Sequence, residues 1–123
     1  MLYLITKTLP LHVGEYHVEQ IDSDAAAALI RTHHESSKLR SLIHFGSTAA
    51  AMRSLTELYI ELVERAEPPT LSNEDLAIEI RLRPSIGKGQ KVGLADLEFF
   101  LIRYRSDYEA RQQAPSVWPA VLN

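Results

Sequence analysis

The 123-residue chain is 46% hydrophobic and 24% charged, an ordinary globular mixture whose size suits one domain around one core. It has no cysteine, which excludes a disulfide framework, thiol catalysis and cysteine metal sites, and suits a cytoplasmic setting. A formal charge of −3 argues against a protein that wraps long DNA or RNA, since those carry a basic excess. No apolar run is long enough to span a bilayer, and no basic stretch precedes Met1-Leu2-Tyr3-Leu4-Ile5, so neither a membrane anchor nor a signal peptide is expected.

Leu2 to Ile5 is a short apolar run that predicts a strand buried on both faces. Pro10 and Gly14 punctuate the loop after it. Tyr16 and Val18 then alternate with Glu15, His17 and Glu19, the period of a strand with one wet face, and the two strands are expected to form a hairpin. Asp22-Ser23-Asp24 ahead of four alanines predicts a helix to about His34, capped by Asp22 or Ser23. Leu39 to Phe45 is a further buried strand. Gly46-Ser47-Thr48 turns out of it into a second helix, whose spacing of Leu55, Leu58, Tyr59 and Leu62 continues towards Pro68-Pro69. Leu76, Ile78, Ile80 and Leu82 alternate with Ala77, Glu79, Arg81 and Arg83 and form the clearest strand. Pro84 to Gln90 is a loop rich in glycine and cation, Leu94 to Glu98 a helical turn, and Phe99 to Tyr104 the last strand. These elements predict an α/β (α+β) domain over residues 1–106, a mixed five-stranded sheet with helices packed on it. A tail over 107–123, with Val117, Trp118, Val121 and Leu122, would pack on the domain or on a partner.

Two places have residues suited to chemistry. At Ile43-His44-Phe45-Gly46-Ser47-Thr48 a strand ends in a glycine turn and opens a helix, presenting free N–H groups and the positive end of a dipole to an anion. Ser47 and Thr48 add hydroxyl donors, and His44 is the candidate acid for a departing oxygen. The same residues also read as plain structure, with Ser47 as helix cap and His44 as a satisfied strand residue. The second place runs from Arg83 to Lys91. Arg81, Arg83, Lys88 and Lys91 are not interrupted by an acid, and Gly87 and Gly89 let backbone approach a ligand, so Arg83, Ser85, Lys88 and Gln90 are candidate phosphate contacts. A solvated loop explains the same pattern. His33 and His34 are adjacent on a helix and do not converge on a metal, and no metal or cofactor site is expected.

Three blocks resemble one family in the same order over roughly residues 1–105. Met1-Leu2-Tyr3-Leu4-Ile5 through Gly14-Glu15-Tyr16 to Asp24-Ala25-Ala26 is similar to the start of the viral ring nucleases, anti-CRISPR proteins of archaeal viruses and phages with bacterial relatives. Ser41-Leu42-Ile43-His44-Phe45-Gly46-Ser47-Thr48-Ala49 resembles their central strand–turn–helix motif. Ala77 to Leu82, Lys88-Gly89 and Leu94 to Leu97 resemble their late strand, lid loop and short helix. The resemblance implies a homodimer with a cyclic tetra-adenylate pocket across its two-fold axis. A ribose 2′-hydroxyl would attack the adjacent phosphate without a metal, and the messenger of type III CRISPR signalling would be destroyed in the host cytoplasm. Phe45 stands where the family has its histidine, Ser85 where it has a lid arginine and Lys88 where it has a glutamate. A cyclic-nucleotide sponge and a scaffold-only inhibitor that binds a defence protein therefore stand beside the phosphodiesterase.

Overall fold

A strand apolar on both faces belongs in the interior of a sheet, and that is where the first one lies. In the computed structural model of the chain, which describes residues 1–6, 14–65, 69–83 and 93–106, Leu2–Ile5 forms β1 with Leu2 and Leu4 fully buried. The other elements in chain order are β2 (Gly14–Ile21), α1 (Ser23–Glu35), β3 (Leu39–Ser41), α2 (Gly46–Thr56), β4 (Leu76–Leu82), a single 3-10 turn (Leu94–Asp96) and β5 (Leu97–Ser106). The sheet order is β2-β5-β4-β1-β3, mixed and five-stranded, with two helices, as the sequence predicts.

The expected hairpin of β1 with β2 does not form. β1 pairs in parallel with β3 on one side and β4 on the other, while β2 is the far edge strand, antiparallel to β5 from Gly14↔Ser106 to Ile21↔Phe99. The reason lies in their patterns. β1 has no polar face to give to water, whereas Glu15, His17 and Glu19 suit an edge that water reaches.

Two further boundaries shift. β3 stops at Ser41 rather than Phe45, because beyond it the backbone is shared between two neighbours: Leu42 N–H donates to Leu4 O, and Ile43 O accepts from Val63 N–H. α2 ends at Thr56, well before Pro68. Glu57 adopts a left-handed φ of 60°, the Arg31 guanidinium of α1 donates to the carbonyls of Leu55 and Thr56, and Arg53 donates to Ile60 O. Side chains thus satisfy carbonyls that a longer helix would have bonded internally. The apolar stripe beyond Thr56 belongs to a return leg, in which Leu62 pairs in parallel with Ile43 and Ile60 is buried.

Both helices lie on one face of the sheet. Ala26, Ile30, Ala49 and Met52 meet Leu2, Leu4, Ile78 and Phe99 there. The passages β2–α1–β3 and β3–α2–return leg advance towards the same edge. The chain then travels back to β4 and carries Leu71 into the opposite face, against Ile5, Ala77, Ile102 and Tyr104. A single crossover hand requires this: connections that advance in opposite directions must use opposite faces. Asp22 caps α1, its carboxylate accepting from Ala25 N–H at 2.7 Å. Among the described residues no helix is long and apolar enough to cross a membrane. The tail over 107–123 lies outside the described residues.

Candidate functional site

Because β1, β3 and β4 are parallel, their carboxyl ends share one edge of the sheet. That edge is where open α/β sheets place ligands, since loops diverge there and helix N-termini point at the gap. Here it holds Thr6 after β1, His44 after β3, the first turn of α2, and Arg83 after β4.

The first turn of α2 is open. Its N-cap is Phe45, whose side chain makes no capping hydrogen bond, so Ser47 is not the cap that the plain structural interpretation requires. The first helical bond is Ala49 N–H to Phe45 O at 3.0 Å. The N–H groups of Gly46, Ser47 and Thr48 therefore have no partner within the helix, and the positive end of the dipole is unmodified because no acid lies in that turn. The first turn of α1 differs in both respects, with Asp22 bonded to its backbone and Asp24 within it. Ser47 is exposed and Thr48 is 3% exposed, so only one of the two hydroxyls faces solvent. A Cβ added at Gly46 would meet nothing described within 4 Å.

His44 is half-buried. Its Nδ1 lies 2.9 Å from the Thr6 hydroxyl, and its ring packs on Phe45 with centroids 3.9 Å apart. β3 ends at Ser41, Leu42 and Ile43 still face opposite sides of the sheet, and His44 follows them immediately before the turn, one residue ahead of the position where ring nucleases have their histidine. Thr6 is the neighbour of His44 that sequence reasoning misses. A lone threonine after an apolar run carries no local signal, and only the parallel pairing of β1 with β3 brings it to His44.

Arg83 does not join this cluster. It is exposed, its backbone N–H donates to Asp96 O at 2.8 Å, and it lines an open groove of about 670 Å³ with Gln20, Asp22, Ser23, Leu94 and Glu98. None of His44, Gly46, Ser47 or Thr48 lines that groove, and its two carboxylates offset the arginine. Ser85, Lys88 and Gln90 lie outside the described residues. Among the described residues no three of His, Asp and Glu converge on a metal position. Chemically, the edge offers an anion three backbone donors and a hydroxyl, with a tethered imidazole next to them.

Comparison with models of protein families and with curated proteins found no match. Comparison with solved structures found a fold likeness to B116 of Sulfolobus turreted icosahedral virus. That structure shares 12% identity with this chain, with a TM-score of 0.66 over 83% of this chain and 97% of the viral one. At that identity the two proteins share a fold: the sheet and helices described above make up nearly the whole of a small virus protein as well.

Proposed function

We propose that this chain binds a cyclic oligoadenylate, with cyclic tetra-adenylate favoured, and cleaves it without a metal, thereby antagonising type III CRISPR signalling. The observation that carries this reading is the uncapped, acid-free first turn of α2 immediately after His44. A phosphodiester held by the N–H groups of Gly46, Ser47 and Thr48 would lie beside the imidazole. The neighbouring ribose 2′-hydroxyl would attack phosphorus, giving its proton to water, and the bond from phosphorus to the 5′ oxygen would break to leave a 2′,3′-cyclic phosphate. The oxygen that leaves would take a proton from Nε2, the ring nitrogen that Thr6 does not occupy. The ordered resemblance over residues 1–105 to ring nucleases supports this, and so does the fold shared with a virus protein. A homodimer would set two such edges around one ring, matching two-fold ligand to two-fold protein.

A second reading is favoured by one observation. The His44 ring is engaged by Thr6 and packed on Phe45, and Phe45 occupies the family's histidine position. On that reading the site holds the cyclic nucleotide without cutting it. Incubation with labelled cyclic oligoadenylates and cyclic dinucleotides in EDTA, followed by chromatography and native gels, separates the two. Linear products that fall by about 10²–10⁴-fold in His44→Ala support cleavage. A gel shift with intact ligand supports sequestration. Neither shift nor product removes the proposal and leaves a protein partner as the remaining role for the scaffold.

A further inference from the structure

The arginines of the described residues fall into two groups. Arg31, Arg53, Arg81 and Arg105 donate to backbone carbonyls or to the carboxylates of Glu79 and Glu15. The guanidiniums of Arg40, Arg65, Arg83 and Arg103 make no hydrogen bond or ion pair with a described residue. Arg83 and Arg103 each line a groove that also holds two carboxylates, Asp22 and Glu98 in one, Glu15 and Asp75 in the other. Arg40 and Arg65 are different. They line one groove of about 470 Å³ with Tyr3, Leu42, Val63 and Thr70, and no acid is among its described lining residues.

The fold explains their convergence. Arg40 is the register partner of Tyr3 in the parallel pair of β3 with β1, so both side chains stand on the sheet face away from the helices. The return leg bonds to the segment just after β3 through Val63 N–H and Ile43 O and delivers Arg65 to the same groove. Two exposed guanidiniums in a concave site repel one another and raise the local positive potential, although the chain as a whole is acidic. A guanidinium presents a planar fork of donors matched to phosphate oxygens, and Tyr3 and Thr70 add hydroxyls at the groove wall.

We infer that this groove is an anion site for a phosphate-bearing small ligand, gripped by Arg40 and Arg65. It uses none of the residues of the His44 edge and stands or falls separately from the function proposed there.

The test is a titration of the full chain with inorganic phosphate and, separately, pyrophosphate at low ionic strength, followed through the arginine Nε–H resonances by NMR. Arg40 and Arg65 are expected to shift together and saturably, more tightly with pyrophosphate. Arg40→Ala and Arg65→Ala are each expected to weaken binding about tenfold or more, with unchanged thermal unfolding because both side chains are exposed. Arg83 and Arg103 serve as internal controls and should not saturate. Shifts that match those from chloride at equal ionic strength, that spread over all four arginines, or that survive both substitutions overturn the inference.

Discussion

The Thr6 hydroxyl and Nδ1 of His44 lie 2.9 Å apart, joining the ends of two adjacent parallel strands across 38 positions of sequence. An imidazole held through Nδ1 has its ring plane and its free nitrogen fixed together, which is what an acid that delivers a proton from Nε2 requires. When His44 is protonated, Nδ1–H donates to Thr6, and it still does so after Nε2 has given up its proton. In the proposed cleavage Thr6 would thus be a positioning residue for His44.

Thr6→Val keeps the shape of the side chain and removes its hydrogen bonding. The balance between the His44 ring tautomers should change, read from the ring ¹⁵N shifts in the absence of any ligand. The proposed cleavage should drop about three- to tenfold in kcat with little change in KM, and Thr6→Ser should restore most of it. Unchanged ring shifts in Thr6→Val would contradict the positioning role, whether or not the protein is an enzyme.

The first turn of α2 gives a prediction in which stability and binding move in opposite directions. Ser47 is exposed, and the helix start has neither cap nor acid. Ser47→Asp places a carboxylate at the positive end of the dipole and should stabilise the fold by about 0.3–1 kcal/mol. The same carboxylate occupies the anion position, so binding of any phosphodiester there should weaken by at least tenfold. Denaturant unfolding and ligand titration on one preparation measure both. Loss of stability together with loss of binding would point instead to a damaged helix start.

How much of this was legible in the sequence differs by type of signal. Alternation in Leu76 to Leu82 and the capped run after Asp22 are local, and β4 and α1 lie where those patterns put them. The candidate turn at Gly46-Ser47-Thr48 was legible for the same reason, since a strand followed by a glycine and small polar residues opens a helix. Partner choice is not local. Nearness in sequence suggested a hairpin for β1 with β2, whereas β1 finds its neighbours at β3 and β4, tens of residues away. The same blindness hid Thr6 from His44 and Arg40 from Arg65. α2 ends earlier than the helical spacing of Leu55, Leu58, Tyr59 and Leu62 suggests, because the residues from Leu58 onward form a return leg instead. What decides between helix and return leg is the capture of the helix-end carbonyls by Arg31, a residue of a different helix.

Asp75 supplies a pH dependence. Partial burial alone would push its carboxyl up, but the N–H and hydroxyl of Ser72 and the Met1 amine at 3.4 Å all favour the ionised form, and together they hold it below the ordinary 3.8. A carboxyl depressed on folding contributes stability that is complete above its unfolded value and is lost as pH falls through the folded one. Asp75→Asn should therefore unfold more easily than the parent near neutral pH. The difference should shrink as the pH drops below about 4 and through the lowered folded value. Parallel curves down to the lowest pH would show that the aspartate acts through shape and not through charge.

The last prediction concerns the ion pair on the open sheet face. The Glu79 carboxylate is buried in the middle of β4, 4% exposed, while its partner Arg81 is 54% exposed and lies over the Phe100 ring at 4.5 Å. The two halves of such a pair are not equivalent. Removing Arg81 strands a charge away from water, whereas removing the Glu79 charge frees an arginine that solvent already reaches. Arg81→Ala should therefore cost about 1–3 kcal/mol, and Glu79→Gln, which keeps the volume and one acceptor, distinctly less. Glu79→Met, of similar volume and apolar, should be close to neutral, because the neighbouring Ile5, Ala77 and Ile102 offer it an apolar setting. The cost of Arg81→Ala should in turn largely vanish when it is combined with Glu79→Met, since no buried charge is then left unpaired. Urea unfolding of the two single variants and the double variant tests this directly. An additive double variant would mean that Arg81 stabilises the face through Phe100 and not through Glu79.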